Sequence, residues 1–369
     1  MAELKNVEFS VQHPLNREPP AETLISSFIT PSDLAYDRNH GPIPYLSASS
    51  HYVHIDGDGV RNPISLSIQE LQTYFEQHEV ICALQCAGNR RHTMRTLLKE
   101  VQGIDWKDAA VMNCQWKGPR LCDVLHRARV VVREREKYHV AFACEQVPCQ
   151  DDEWYGGSVK LIRCLDSDVI LALEMNHHPL PINKGYPVRV VIPGVVGARW
   201  VKWLDRITVQ KEESPNFYQQ RDYKILPPEA TDAAKAAEFW DKTPAMMETL
   251  INSIVAVPQD GQTIHLDEDG LVEVKGYAVP QGYCGPIVRV EVSGDGGRTW
   301  TDAWLENRRA SKWAWVLWTA RVPMSRGTQK QIFSRATDYG GNTQPETSQW
   351  NLRGVGYNGY GLAKNLTII

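Results

Sequence analysis

Apolar and polar positions follow two different rhythms along this chain, and the change falls near Thr243. Before it, helical and strand patterns are mixed. Ser67-Ile68-Gln69-Glu70 has the spacing of a capping box, which predicts a helix opening there and running to about His78. Residues 80–85 form an apolar run of strand length, and 188–192 are β-branched around Arg189 and stop at Pro193-Gly194. Residues 201–209 read as a further strand. Residues 121–128, after Pro119, and the Ala-rich 230–241 read as helices. After Thr243, β-rich runs at 271–278, 287–293, 313–322 and 331–337 are separated by Asp269-Gly270, Asp295-Gly296-Gly297 and Gly340-Gly341-Asn342. That spacing predicts an antiparallel sandwich. The expected fold class is α+β: a mixed α+β domain over residues 1–242 and a β-sandwich over 243–369.

Composition narrows the picture only slightly. The 369 residues are 42% hydrophobic and 23% charged, ordinary for a globular chain of two domains. No run of about 18 apolar residues predicts a membrane span. A net charge of -4 argues against a nucleic-acid partner, yet leaves room for a local arginine cluster that holds an anion. Residues 1–15 lack the charged and apolar regions of a secretory signal, and the terminal Leu-Thr-Ile-Ile is not a peroxisomal address. A cytoplasmic protein is expected. Five tryptophans, at 300, 304, 313, 315 and 318, suit core packing, with part of the sandwich surface available to a second copy. The eight cysteines contain no C-x-x-C pair and read as buried, reduced thiols.

Cys86 stands apart in Leu84-Gln85-Cys86-Ala87-Gly88-Asn89-Arg90-Arg91. Small residues beside the thiol let a large group approach the backbone. Arg90 and Arg91 are expected to depress its pKa and favour the thiolate, a soft ligand for a transition metal. The same arrangement suits a nucleophile or a packed structural thiol. Arg38-Asn39-His40-Gly41-Pro42 offers guanidinium, amide and imidazole in an extended segment, or a solvated loop. Arg189 and Lys202 lie in apolar surroundings and need partners. An organic phosphate held with the N–H groups of Gly194 and Gly197 would serve, as would an internal carboxylate such as Asp205.

Taken together, RNHGPIP, LQCAGNRR, GYPVRVVIPGVVGARWVKWL, RDYK and WNLRG, in this order from about residue 24 to 355, resemble the sulfite oxidase family of molybdenum enzymes, in its haem-free form. VEVSGDGGRTW, KWAWVLW and residues 335–350 resemble that family's immunoglobulin-like dimerisation domain. The resemblance implies one molybdenum–molybdopterin per chain with Cys86 on the metal, and no haem. It implies a sulfite pocket of Arg38, Arg91, Tyr223 and Arg353, with Tyr223 hydrogen-bonding the substrate and moving protons. Asn39, His40, Ser158, Arg189, Arg199 and Lys202 fall in segments that hold the pterin and its phosphate. Oxygen-atom transfer to sulfite follows, with electrons passed to oxygen or an external acceptor, and a homodimer through the second domain.

This sequence departs from the family pattern at three positions. Gln146 stands where an acidic residue is usual, Lys184 where a histidine is, and Gln102 where a basic residue lines the anion entrance. Lys184 is expected to add a phosphate contact, and Gln102 to alter substrate affinity. Two other readings share the features: the molybdenum domain of a nitrate reductase, against which Tyr223 and Arg353 argue, and a cofactor carrier, against which the full arginine set argues.

Overall fold

The computed structural model describes residues 10–307 and 309–369. Of the stretch read for a targeting signal, residues 1–9 lie outside the described residues. The first part is built on two sheets. One runs in the order Ile64–Ser67, Tyr52–Gly57, Arg206–Gln210, His139–Cys144, Tyr155–Lys160, with only Tyr52–Gly57 and Arg206–Gln210 parallel. The other pairs the long strands Gln77–Gln85 and Val111–Pro119, extended by Glu174–Met175 and His178–Pro179. Arg189–Val191 pairs with Ile170–Ala172, and Asn16–Arg17 with Asp37–Arg38.

The capping box at Ser67 is formed in both directions, but its helix spans only Ile68–Thr73. The Gln77 side-chain amide donates to the carbonyls of Leu71, Gln72 and Phe75, which closes the helix and turns the chain into the strand Gln77–Gln85. The strand expected over 201–209 forms only at Arg206–Gln210. A 3-10 turn at Gly197–Arg199 and a left-handed Trp203 (φ 52°) keep the preceding residues out of extended geometry. The helix expected over 230–241 is a single turn, Ala233–Ala236, capped by Asp232. Beyond it, Phe239 and Trp240 pack back against Leu226 and Leu352.

The second part is a sandwich of a four-stranded and a five-stranded sheet, whose facing sides share one core that includes Val274, Val292, Trp318, Ile332 and Leu366. Its long strands are Leu271–Val279, Ile287–Ser293, Val316–Pro323 and Gly327–Asp338. Pairing is antiparallel except between Thr263–Ile264 and Gly361–Ile368. Trp313 precedes its expected strand because its carbonyl accepts from Ala83 N in the first part. Trp313, Trp315 and Trp318 are buried, Trp300 lies under the Arg335 guanidinium, and Trp304 is exposed. All eight cysteines are free, six of them buried. Among the described residues no helix is long and apolar enough to cross a membrane.

The two parts share a core of their own, in which Leu24, Ala83 and Val111 meet Ile254, Tyr277 and Trp315. Arg90 ties the seam. Its guanidinium donates to Asn252 Oδ1 (2.9 Å), the Gly359 carbonyl (2.7 Å) and the Tyr360 carbonyl (2.7 Å), and lies 4.7 Å from the Tyr357 ring centroid. Arg90 adopts φ 65° and its guanidinium is taken up by the second part, while the cations that chiefly act on Cys86 are Arg91 and Arg38. Arg90→Met would leave these buried acceptors without their donor. It is expected to lower unfolding free energy by about 3 kcal/mol. The urea midpoint should fall at constant slope; an unmoved midpoint would deny Arg90 this role.

Candidate active site

The strand Gln77–Gln85 delivers Cys86 to the wall of a cleft. Pairing continues one residue further, with Cys86 N donating to the Ala110 carbonyl (2.9 Å), after which Asn89 N donates back to the Cys86 carbonyl (3.0 Å). The Asn89 side chain locks this turn: its Oδ1 accepts from Ala110 N (3.1 Å), and its Nδ2 donates to Gln85 Oε1 (3.3 Å) and Tyr277 Oη (3.0 Å). Gly88 leaves room for the Arg91 guanidinium, which a Cβ there would approach to 2.6 Å. Arg91 threads past it and donates to the carbonyls of Ile104 (2.8 Å) and Arg353 (3.0 Å).

The Cys86 thiol is 5% exposed. Burial pushes its pKa up, opposed by Arg91 and then Arg38. The expected net depression is therefore reversed, because burial penalises the thiolate more than two nearby cations favour it. A metal would supply the missing positive charge and displace the thiol proton. Among the described residues no group of three or more His, Cys, Asp or Glu side chains is placed to hold a metal ion. Cys86 could thus be a ligand only where a bound group brings the remaining donors.

The cleft has about 790 Å³ of open space, its mouth included. Arg38, Asn39, His40, Cys86, Arg189, Lys202 and Tyr223 all line it, although they come from segments up to 185 residues apart in sequence. Four of its lining residues are basic (Arg38, Lys184, Arg189, Lys202) and one, Asp37, is acidic. Asp37 is already engaged by Lys184 (2.6 Å) and Arg17 (2.7 Å), which hold its carboxyl below the usual range despite burial. The other cations have only neutral hydrogen-bond partners. Lys202 Nζ donates to Asn39 Oδ1 and to the carbonyls of Arg38 and Asn183 (3.3 Å each). Burial pushes its pKa well below the ordinary lysine value. Arg189 donates to the carbonyls of Lys184 (2.9 Å) and Trp200 (3.1 Å), packs over Trp116, and keeps a buried Nε without a partner. Burial lowers its pKa to about 10. A buried cluster with surplus positive charge and an orphaned guanidinium N–H fits a bound anion.

Other expected partners stand elsewhere. Asp205 reaches neither Arg189 nor Lys202; it accepts from Glu145 N and the Gln146 side chain (both 2.8 Å), which is where the amide at position 146 is used. Lys184 Nζ donates to the carbonyls of Ala35 (2.8 Å) and Tyr36 (2.9 Å) besides Asp37, so all three of its donors already have protein partners. Burial lowers its pKa to about 8. Gly194 packs against the sandwich, where a Cβ would lie 2.5 Å from the Gly282 carbonyl, and does not line the cleft; Gly197 does. Ser158 and Arg199 stand behind the wall: Ser158 Oγ accepts from Ser214 N (2.8 Å), and Arg199 donates to the Tyr218 carbonyl (2.8 Å).

Arg353 comes from the second part and lines a separate depression with Gln102, Arg221 and Trp240. Asp222 holds it there, accepting from Arg353 Nε (3.1 Å) and Nη2 (3.0 Å) and also from Tyr223 N (2.7 Å). Asp222 escaped the sequence reading because nothing in the spacing of RDYK links it to a guanidinium 131 residues on. Tyr155 and Tyr218, which flank His40, were missed for the same reason.

Comparison with known proteins adds the following. Residues 40–218 match the family described as "Oxidoreductase molybdopterin binding domain", and 243–362 that described as "Mo-co oxidoreductase dimerisation domain". Mitochondrial sulfite oxidase of Homo sapiens is 43% identical over 93% of the chain, which spans 63% of that protein's length. Sulfite oxidase of Arabidopsis thaliana is 37% identical over 95% of the chain and 91% of its own length. Nitrate reductase [NAD(P)H] of Hordeum vulgare is 36% identical over 95% of the chain and 40% of its own length. Among solved structures, the sulfane dehydrogenase SoxCD of Paracoccus pantotrophus aligns over 99% of this chain and 92% of its own, with a TM-score of 0.76 at 22% identity, a likeness of fold.

Proposed function

Because the chain belongs to the sulfite oxidase family, with a molybdopterin-binding domain of its own, we propose that it oxidises sulfite to sulfate at the Cys86 cleft. The carrying observation is the buried Cys86 thiol, one of three cysteines (with Cys144 and Cys149) lining a cleft whose cations outnumber its one, already paired, carboxylate. In this reading Cys86 is the one protein ligand to molybdenum, and Asn39, Arg189 and Lys202 hold the pterin and its phosphate. Ser158 and Arg199 support the wall from behind. When bound, the cofactor supplies the two-electron chemistry by which sulfite and water become sulfate, two protons and two electrons.

The protein's part is binding and proton placement. Arg38 meets the small anion inside the cleft, where a planar guanidinium suits its oxygens, while Arg91 and Arg353, outside the cleft's lining, add positive charge that reaches His40 within it. Burial pushes the Tyr223 phenol up to about 12, so it stays protonated at neutral pH and serves as a hydrogen-bond donor to the anion. Residues 1–242 are then the catalytic domain, and residues 243–369 the dimerisation domain of a homodimer. Electrons pass to oxygen or to an external acceptor.

The match to a nitrate reductase supports a second reading, reduction of nitrate at the same cleft. Steady-state assays on molybdenum-loaded protein separate the two. Sulfite should be consumed with oxygen, ferricyanide or cytochrome c as acceptor, while nitrate with a reduced viologen should not. Nitrate reduction without sulfite turnover would overturn the proposal.

A further inference from the structure

Three side chains of the cleft wall form one hydrogen-bonded row. Arg38 Nη2 lies 3.2 Å from Nδ1 of His40, and Nε2 of the same ring lies 2.6 Å from Tyr223 Oη. An imidazole nitrogen donates or accepts according to its proton, and a phenol does both, but a guanidinium only donates. The row therefore has a direction, set from its arginine end. Nδ1 accepts, so it carries no proton; the neutral ring then holds its proton on Nε2; and Nε2–H donates to the Tyr223 oxygen. With that lone pair engaged, the phenol's own hydrogen points away from the histidine.

Packing holds every member of the row. The His40 ring is tilted against Tyr218 at 3.8 Å between centroids, stacked with Tyr155 at 5.5 Å, and edge-on to Tyr223 at 5.8 Å. Its carbonyl accepts from Gln150 N (2.9 Å), and the following Gly41 packs so closely that a Cβ there would lie 2.3 Å from the Pro148 carbonyl. Tyr223 is fixed in a left-handed conformation (φ 50°), with its N–H on Asp222 and its carbonyl accepting from Met246 N (2.9 Å). Burial and the cations Arg38, Arg353, Lys202 and Arg91 all disfavour a charged His40 ring.

We propose that His40 is a positioning residue: as a fixed Nε2–H donor whose tautomer is set by Arg38, it commits the Tyr223 hydroxyl to giving its hydrogen to an anion in the cleft. Sulfite and sulfate oxygens are acceptors, so a phenol whose hydrogen was turned to the histidine would face them with a repelling lone pair. The catalytic consequence rests on the sulfite-oxidising reading; the tautomer does not.

Two measurements test it. In holoprotein carrying 15N-labelled histidine, the His40 ring signals are identified by their loss in His40→Gln. They should show Nε2 protonated and Nδ1 bare between about pH 6 and 8; the opposite tautomer or an imidazolium would overturn the proposal. The second measurement is kinetic. Gln can accept from Arg38 and donate to Tyr223, whereas Phe can do neither. His40→Phe is expected to lower kcat about tenfold or more, His40→Gln to recover most of that loss, and the two to become indistinguishable once Tyr223→Phe is added. Equal loss in both variants, or a loss that persists beside Tyr223→Phe, would overturn it. Should His40→Phe fail to hold the cofactor, the NMR result decides. Absence of sulfite turnover in the unmodified protein would remove the substrate reading and leave the tautomer standing.

Discussion

Replacing Cys86 by serine is expected to reduce sulfite turnover about 100-fold or more, beyond what the loss of an outer partner of a metal site costs. The substitution is nearly isosteric, and the hydrogen bonds that shape the turn at residue 86 come from its backbone and from Asn89, so the strand end stays in place. What changes is the donor. A hydroxyl is harder and far less acidic than a thiol, and at a site this buried it has no means of ionising. Asn39, Arg189 and Lys202 remain to hold the pterin, so cofactor should still be recovered from the variant. Turnover per bound cofactor, measured beside the urea midpoint, separates loss of chemistry from loss of fold. Wild-type turnover would end the ligand assignment.

Arg353→Met is expected to raise the KM for sulfite roughly 10- to 100-fold, the range that a hydrogen bond to a charged group represents. Methionine keeps much of the stem volume and removes the cation. It also strands Asp222, whose side chain is 6% exposed and whose charge then repels the incoming anion. Adding Asp222→Asn should therefore recover part of the loss. An unchanged KM in Arg353→Met would take Arg353 out of the substrate pocket. The same geometry ties the cleft in the first part to the second. The Arg353 carbonyl accepts from Arg91, Gly356 N donates to the Ala87 carbonyl, and Asn89 reaches Tyr277, so three residues beside the thiol are held by the sandwich.

What the sequence made legible followed local chemistry. The capping box at Ser67, the strand ending at Cys86 and the sandwich strands each depend on neighbours in the chain. The segments around Arg38, Cys86, Arg189 and Tyr223 could be nominated from residue type and family resemblance, and the fold brings them to one cleft. Features set by packing were out of reach. Whether Arg90 or Arg91 turns toward the thiol depends on a left-handed backbone at residue 90 and on carbonyls more than 160 residues away. That Lys184 pairs with Asp37 depends on the pairing of Asp37–Arg38 with Asn16–Arg17 and on a lysine 147 residues further on. Nor does any residue spacing report that burial outweighs two cations at Cys86.

The most direct test of the account is to count sulfur atoms around molybdenum by X-ray absorption at the metal edge, in holoprotein with and without Cys86→Ser. If Cys86 is the one protein ligand, the variant shows one sulfur fewer, with the cofactor's own sulfurs unchanged. An identical sulfur count in the two proteins would contradict it.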